Sequence, residues 1–177
     1  MDGYLFDTCV IRDWFDGEAG RFPAVKANAD ARLADSPLFV SAITLGEIEF
    51  GHNLEPAGDG AKREAYKSFL QNQLPLILQV SRHTGEPYGR IKGKLAKRFP
   101  PKGGWTKRKK VEQLYDPVAG RELGIDENDL WIVAQAVERN LVLVTSDKMT
   151  RICQTVCEVY AGFRVEDWRK SDGFVVS

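Results

Sequence analysis

The fold of this chain is decided by GIDENDLWIVAQA at residues 124–136, followed by LVLVTSD at residues 141–147. The first stretch predicts a helix with an acidic start, and the second predicts a buried strand that ends in an acid. A helix from Glu127 to Arg139 covers roughly 20 Å at about 1.5 Å per residue. The strand that follows returns over a similar distance at about 3.3 Å per residue. Asp129 and Asp147 should therefore lie at the same edge of the fold.

The other segments alternate between strand and helix patterns. We predict strands at residues 4–6, 38–40, 76–80 and 155–159, helices at residues 9–15, 22–34, 44–53, 61–73 and 86–99, and a short basic helix at residues 107–115. This alternation predicts an α/β domain with a central, mainly parallel sheet. Ligands of such sheets bind beyond the carboxyl ends of the strands. Asp7 follows the first strand and should therefore join Asp129 and Asp147.

Length and composition limit the class of protein. The chain has 177 residues, enough for one well-cored domain and short for two. It is 43% hydrophobic and 28% charged, which is typical of a soluble globular protein. We see no run long enough to span a bilayer and no signal segment, so we expect no membrane association. Cys9, Cys153 and Cys157 lack a metal-like spacing, so we expect free thiols and a cytoplasmic protein.

Four acids stand out, although each also has an ordinary structural interpretation. Asp7 could form a turn, and Thr44-x-x-Glu47 fits a helix capping box. Asp129 could stabilise the positive end of its helix, and Asp147 could cap the next one. Carboxylates crowded at one edge, however, repel each other and need a cation. An all-oxygen set of ligands favours a hard cation such as Mg²⁺ or Mn²⁺.

Four motifs taken together resemble the PIN-domain ribonucleases, and among them the VapC-type toxins of toxin–antitoxin pairs. In the order of the family they are LFDT at residues 5–8, SAITLGE at 41–47, NDLWIVA at 128–134 and LVTSD at 143–147. One departure is IVA at 132–134, where the family usually has Ile-Ala-Ala. The resemblance implies a three-layer α/β/α PIN-like domain over residues 1–177. A basic insertion around residues 99–115 is longer than in compact members.

The resemblance also implies which residues carry the chemistry. The acids of the family correspond to Asp7, Glu47, Asp129 and Asp147, and hydroxyl groups that support the metal site correspond to Thr8 and Thr145. One or two Mg²⁺ ions, replaceable by Mn²⁺, would be held by the three aspartates, with Glu47 as a direct or water-mediated ligand. The implied activity is hydrolysis of RNA phosphodiester bonds by a metal-activated water. The implied partners are RNA, a cognate antitoxin, and a second copy of the chain or a toxin–antitoxin hetero-oligomer.

One segment is strongly basic in a chain of zero net charge. Residues 87–111 hold ten Lys or Arg and no acid, which leaves 15 basic against 25 acidic residues elsewhere. Cations for phosphates beside aromatic side chains for stacking predict a surface for single-stranded RNA, with plain solvation as the alternative. The predicted RNA-binding residues are Arg98, Lys102, Trp105, Lys107, Arg108, Lys109 and Lys110.

Two other functions are compatible with parts of the pattern. An RNA-binding module with degenerate catalysis would keep the fold, but all four acids are present. A phospho-accepting receiver or phosphatase also uses Asp and Mg²⁺ at strand ends. The phosphatase needs a second acid two residues after the first, where this chain has Cys9, and the receiver places its acids differently. The sequence therefore favours the metal-dependent ribonuclease.

Overall fold

The computed structural model describes residues 2–17, 22–54, 60–105, 110–147, 149–169 and 174–175. Its contacts divide the chain into two compact units. The first unit comprises Met1–Val80, Leu141–Asp147 and Arg164–Ser177. The second comprises Ser81–Asn140 and Lys148–Phe163. The predicted organisation as one domain over residues 1–177 stays a prediction.

The first unit is built on a six-stranded sheet in the order β3-β2-β1-β6-β7-β8. The strands of the chain are β1 (Tyr4–Phe6), β2 (Leu38–Ser41), β3 (Leu76–Leu78), β4 (Tyr115–Asp116), β5 (Arg121–Glu122), β6 (Val142–Val144), β7 (Arg164–Asp167) and β8 (Phe174–Val175). β3, β2, β1, β6 and β7 are parallel, and β8 is antiparallel to β7. β1 and β6 are short, apolar and buried throughout, as expected of central parallel strands. The predicted α/β class with a mainly parallel sheet is confirmed.

Seven helices among the described residues connect the strands. They are α1 (Thr8–Gly17), α2 (Pro23–Leu33), α3 (Ala42–Leu54), α4 (Gly60–Gln73), α5 (Gly85–Arg98), α6 (Glu127–Glu138) and α7 (Thr150–Val159). α6 begins as the sequence predicts, because the Asp126 Oδ1 accepts a hydrogen bond from the Asn128 N–H at 2.8 Å. No helix in the described part of the chain is both long and apolar enough to cross a bilayer.

Aromatic side chains form the centre of the core in the first unit. The rings of Phe6 and Trp168 meet edge to face with centroids 5.1 Å apart, and those of Phe6 and Trp14 are 5.8 Å apart. Trp14 and Trp168 are almost fully buried. Burial of this size is the main source of fold stability, so these residues hold α1 and the segment after β7 against the sheet.

The predicted strand at residues 155–159 is wrong, because this segment belongs to α7. Ile152, Cys153 and Val156 are buried, at the spacing of one face of a helix. The chain returns to the sheet later, as β7 at Arg164–Asp167. A short apolar run cannot by itself distinguish a buried strand from a buried helix face.

Two further local predictions are corrected. α3 begins at Ala42, before Thr44, and the Ile43 N–H donates to the Ser41 Oγ at 3.0 Å. Thr44 is therefore inside the helix, and Glu47 is not part of a capping box. In place of the predicted basic helix, the described residues 110–116 form a 3-10 turn at Val111–Gln113 and then β4, which pairs with β5. Residues 107–109 of that prediction lie outside the described residues.

Candidate metal centre

Asp7 lies at the carboxyl end of β1, where α1 begins. Its N–H donates to the Val144 carbonyl oxygen at 3.0 Å, so the sheet itself determines where the residue lies. The side chain is buried, with 4% of its surface exposed. Oδ1 accepts a hydrogen bond from the Thr8 N–H at 2.7 Å, and Oδ2 accepts one from the Thr145 hydroxyl at 2.8 Å. The carboxylate is thus held in one orientation by its neighbours.

The environment of Asp7 favours a bound cation. Burial raises the pKa of the Asp7 carboxyl above its ordinary value, and the negative charge of Asp147 raises it further. The hydrogen bonds from Thr145, Cys9 and Thr8 act in the opposite direction without cancelling the rise in pKa. A cation beside the carboxylate would remove the cost of burying its charge, so the site fits the metal that the resemblance implies.

Asp147 follows β6, and its carboxylate lies close to that of Asp7. Its N–H donates to the Thr145 Oγ1 at 3.1 Å, which is the hydroxyl that donates to Asp7. Ligand atoms of Asp7, Cys9 and Asp147 all lie within 4.8 Å of one another, close enough to share a metal ion. Met149, two residues after Asp147, is the residue that precedes the first turn of α7.

Cys9 is a donor atom that the sequence did not single out for this site. Its thiol donates to the Asp7 Oδ2 at 3.2 Å. Burial raises the pKa of Cys9 to about 11, and the charge of Asp7 contributes to the rise. The thiol is therefore protonated near neutral pH and acts as a hydrogen-bond donor, which leaves the oxygens of Asp7 and Asp147 as the ligands that suit a hard cation.

Glu47 is linked to the same group of residues through Thr8. The Thr8 hydroxyl donates a short hydrogen bond to the Glu47 Oε2, across from α1 to α3. Thr8 and Thr145 thus each donate a hydrogen bond to one of the acids. The roles assigned to these residues in catalysis stay predictions.

Asp129 is described within the second unit only. It lies in the first turn of α6 and is half-buried, two residues after Glu127. Its charge also contributes, after burial and the charge of Cys157, to a pKa of about 12 for Cys153. Its position at a helix start agrees with the helix-dipole interpretation as well as with a metal ligand. Its predicted place beside Asp7 stays a prediction.

The sequence alone did not predict a role for Asp13, Ser146 or Arg169, which contact one another near the acids. Asp13 is buried in α1, accepts two hydrogen bonds from Arg169, and is 3.5 Å from the Ser146 hydroxyl. One signal was available, because Asp13 lies on the same buried helix face as Val10 and Trp14. An acid on such a face needs a partner. Nothing local in the sequence identifies that partner as Arg169.

The basic segment carries less free positive charge than its sequence implies. Arg98 and Lys94 pair with Glu158 of α7, at 2.6 and 3.3 Å, and Lys92 pairs with Glu127 of α6 at 2.7 Å. Among the predicted RNA-binding residues, Lys102, Trp105 and Lys110 are exposed, and Trp105 keeps 48% of its surface in solvent. Lys107, Arg108 and Lys109 lie outside the described residues.

Comparison with known proteins agrees with this architecture. The model of the PIN domain family matches residues 4–153. A chain of VapBC2 from Rickettsia felis, solved with a DNA fragment from its promoter, is 18% identical with a TM-score of 0.64, over 93% of this chain and 98% of that one. VapBC-1 from nontypeable Haemophilus influenzae is 21% identical with a TM-score of 0.63, and the match covers 94% of this chain and 98% of that one. FitAcB from Neisseria gonorrhoeae is 23% identical with a TM-score of 0.56, and the match covers 85% of this chain and 93% of that one.

At these identities the solved structures establish the fold alone, and a comparison with curated proteins finds no match. The family match is broader evidence, because it extends from β1 into α7 and includes all four predicted acids. PIN domains are typically nucleases that depend on a metal. The chain belongs to the PIN domain family.

Proposed function

We propose that this protein is a Mg²⁺-dependent endoribonuclease and the toxin of a toxin–antitoxin pair. The observation that carries the proposal is the approach of Asp7 and Asp147, whose ligand atoms lie within 4.8 Å of each other and of Cys9 at the carboxyl ends of β1 and β6. In a PIN domain, this is the edge of the sheet at which a ligand is expected. The raised pKa of Asp7 supports a resident cation.

Each residue of the site has a proposed task. Asp7 and Asp147 hold the metal through carboxylate oxygens, Asp129 contributes a third carboxylate from α6, and Glu47 acts directly or through a water. Thr145 orients Asp7 and the backbone of Asp147 through one hydroxyl group. When bound, Mg²⁺, or Mn²⁺ in its place, lowers the pKa of a coordinated water and offsets the charge that develops on the phosphate.

The exposed part of the basic segment is the proposed RNA surface. Lys102 and Lys110 are exposed cations, and Trp105 offers a ring on which a base could stack. We include Lys107, Arg108 and Lys109 in this proposed surface because of their place in the sequence. Arg98 is also included, although it forms an ion pair with Glu158.

The proposed protein partner is an antitoxin. Solved structures that are similar in fold include VapBC and FitAB complexes, and VapBC-5 from Mycobacterium tuberculosis is a member of a family of toxin–antitoxin systems. In this chain, Phe50 and Leu54 of α3 and Leu76 and Ile77 of β3 expose large apolar side chains. Exposed apolar surface of this kind supports contact with an antitoxin segment or with a second copy of the chain.

A cleavage assay tests the enzymatic part of the proposal. Purified protein would be incubated with single-stranded RNA or DNA in Mg²⁺, Mn²⁺ or EDTA. We expect RNA cleavage in either metal and none in EDTA, because the metal supplies several kcal/mol of transition-state stabilisation. Asp7→Asn and Asp129→Asn should each lower the rate by roughly 10³-fold, since each 1.36 kcal/mol is a factor of ten.

The matched control is Asp30→Asn, which removes an exposed acid of α2 whose partner is Lys26. It should cleave like the wild type. Cleavage that survives EDTA, or that survives loss of Asp7, would exclude the metal-dependent mechanism. Equal cleavage of DNA would exclude a dedicated ribonuclease. Expression in a bacterial host tests the toxin: growth should stop with the wild type and continue with Asp7→Asn.

A further inference from the structure

The segment after β7 reaches the candidate metal centre, although it lies beyond the residues that match the family model. The guanidinium group of Arg169 binds both carboxylate oxygens of Asp13, from Nε to Oδ2 at 2.5 Å and from Nη2 to Oδ1 at 2.9 Å. The ring of Phe22 lies 4.9 Å from the centre of the guanidinium group. The pair therefore ties this segment to α1 in a defined geometry.

The contacts continue from Asp13 into the turn that carries Asp147. The Ser146 hydroxyl lies 3.5 Å from the Asp13 Oδ2 and 3.2 Å from the Cys9 Sγ. The Ser146 N–H also donates to the Cys9 Sγ, at 3.4 Å. Ser146 thus donates two hydrogen bonds to Cys9 and lies at the outer limit of hydrogen-bond distance from Asp13, one residue before a proposed metal ligand.

Cys9 connects Ser146 to Asp7, the other proposed ligand. Its thiol donates to the Asp7 Oδ2 at 3.2 Å and lies 3.6 Å from the Thr145 hydroxyl. A continuous series of contacts therefore runs from Arg169 through Asp13, Ser146 and Cys9 to Asp7. Asp7 is the last member of this series, and Asp147 follows Ser146 directly in the chain.

We propose that Asp13 and Arg169 are positioning residues for the metal centre, acting through Ser146 and Cys9 on Asp147 and Asp7. The inference rests on the proposed function, because it concerns the same metal. Groups that hold metal ligands in place contribute strongly to metal affinity even without touching the ion. The ion pair is neutral as a whole, so it orients Ser146 without adding charge beside the carboxylates.

Stability alone does not account for this pair. The Asp13 side chain is 5% exposed and that of Arg169 is 42% exposed, and an ion pair of this half-exposed kind often contributes little to stability. An apolar side chain at position 13 would be compatible with its surroundings, since the nearby Val10 and Trp14 of α1 are core residues. A role in holding the metal ligands explains why a charged pair occupies the place.

The test measures Mn²⁺ affinity by electron paramagnetic resonance in the absence of RNA, together with kcat and KM for RNA cleavage. Arg169→Met and Ser146→Ala should each weaken Mn²⁺ binding by about tenfold, within the roughly 10- to 100-fold range of such contacts. At fixed Mn²⁺, kcat should fall while KM for RNA stays within about twofold. Arg169→Lys should recover part of the loss, because it keeps the charge beside Asp13.

The matched control is Arg164→Met, which removes the ion pair with Asp2 at 2.7 Å, at the start of β7. It should bind Mn²⁺ like the wild type. If Arg169→Met lowers only the melting temperature, and Ser146→Ala binds Mn²⁺ normally, the pair is merely structural and the inference is overturned. Ser146→Ala decides the matter if Arg169→Met does not fold. A wild type that neither binds Mn²⁺ nor cleaves RNA would instead overturn the proposed function, and this inference with it.

Discussion

The acids at the end of β1 and β6 differ from the basic face of α5 in how their charges are held. Asp7 is buried and held by hydrogen bonds of 2.7 to 3.2 Å from residues next to it or across the sheet. Arg98 and Lys94 are about half-exposed, and both pair with Glu158, which is 60 residues beyond Arg98 in the chain. The position of a strand-end acid can therefore be predicted from its own segment, whereas the free charge of a basic run depends on the acids that the fold brings to it.

The two regions also differ in energy. An exposed ion pair contributes about 0–1 kcal/mol, so Arg98 and Lys94 can exchange Glu158 for another anion, such as a phosphate, at a small cost in free energy. A buried carboxylate without a cation carries a desolvation cost that its hydrogen bonds only partly offset. We expect substitutions in the acidic site to have larger effects than those in the basic segment.

The largest effect is expected for Asp7→Asn on metal-dependent stability. Wild-type protein at a Mg²⁺ concentration about 100 times its Kd should gain about 2.7 kcal/mol of folding free energy. The variant should lose this gain, because it lacks the charged ligand. Thermal unfolding with Mg²⁺ and with EDTA measures the difference, with Asp30→Asn as the control.

The same variant tests the electrostatic origin of the site. Burial raises the pKa of Asp7 in the folded state, so at neutral pH and without metal its ionisation destabilises the fold. In EDTA at neutral pH, Asp7→Asn should melt higher than the wild type, by roughly 2–4 °C for each kcal/mol relieved. This advantage should shrink as the pH falls through the raised pKa toward the ordinary value of 3.8. A variant that melts lower than the wild type in EDTA would show that the hydrogen bonds of Asp7 outweigh the cost of burying its charge.

A smaller effect is expected from neutralising the basic segment at Lys107, Lys109 and Lys110 with Gln. RNA binding at low salt should weaken by about tenfold, or roughly 1.4 kcal/mol. The slope of log affinity against log salt should fall by up to about 2, at about 0.7 for each phosphate contact on a single strand. Filter binding with Asp7→Asn as the background keeps the RNA intact. Unchanged binding and slope would favour plain solvation of the segment.

The smallest effect is expected for Glu158→Gln, which releases Arg98 and Lys94. RNA binding should strengthen by about 2- to 5-fold at low salt, because an exposed ion pair is worth no more than about 1 kcal/mol. The salt dependence should become steeper. Glu64→Gln removes a more exposed ion pair, with Lys67 in the first unit, and should leave binding unchanged. Equal effects of both variants would indicate that net charge alone matters.

The fold and the approach of Asp7 and Asp147 could be predicted from local patterns. Short apolar runs that end in an acid identified β1 and β6, and the acidic start of α6 was recognised from Asp126. The error at residues 155–159 came from a short apolar run that, in the sequence alone, is compatible with either a strand or a helix. The position of Cys9 was not predicted because its spacing to Cys153 and Cys157 is not metal-like, and no local pattern indicates that a thiol lies beside Asp147. Asp13, Ser146 and Arg169 were missed because their contacts join segments more than 130 residues apart.

The sequence by itself determined which acids end the strands, because a parallel sheet delivers the residues after β1 and β6 to a common edge. It also determined the family, through four motifs in a fixed order. Only the tertiary structure decided that Asp7 is buried with a raised pKa, that a thiol lies beside the two aspartates, and that Glu158 and Glu127 neutralise part of α5. The reason is physical: desolvation and ion pairing depend on which distant segments pack around a residue, and no local pattern contains that information.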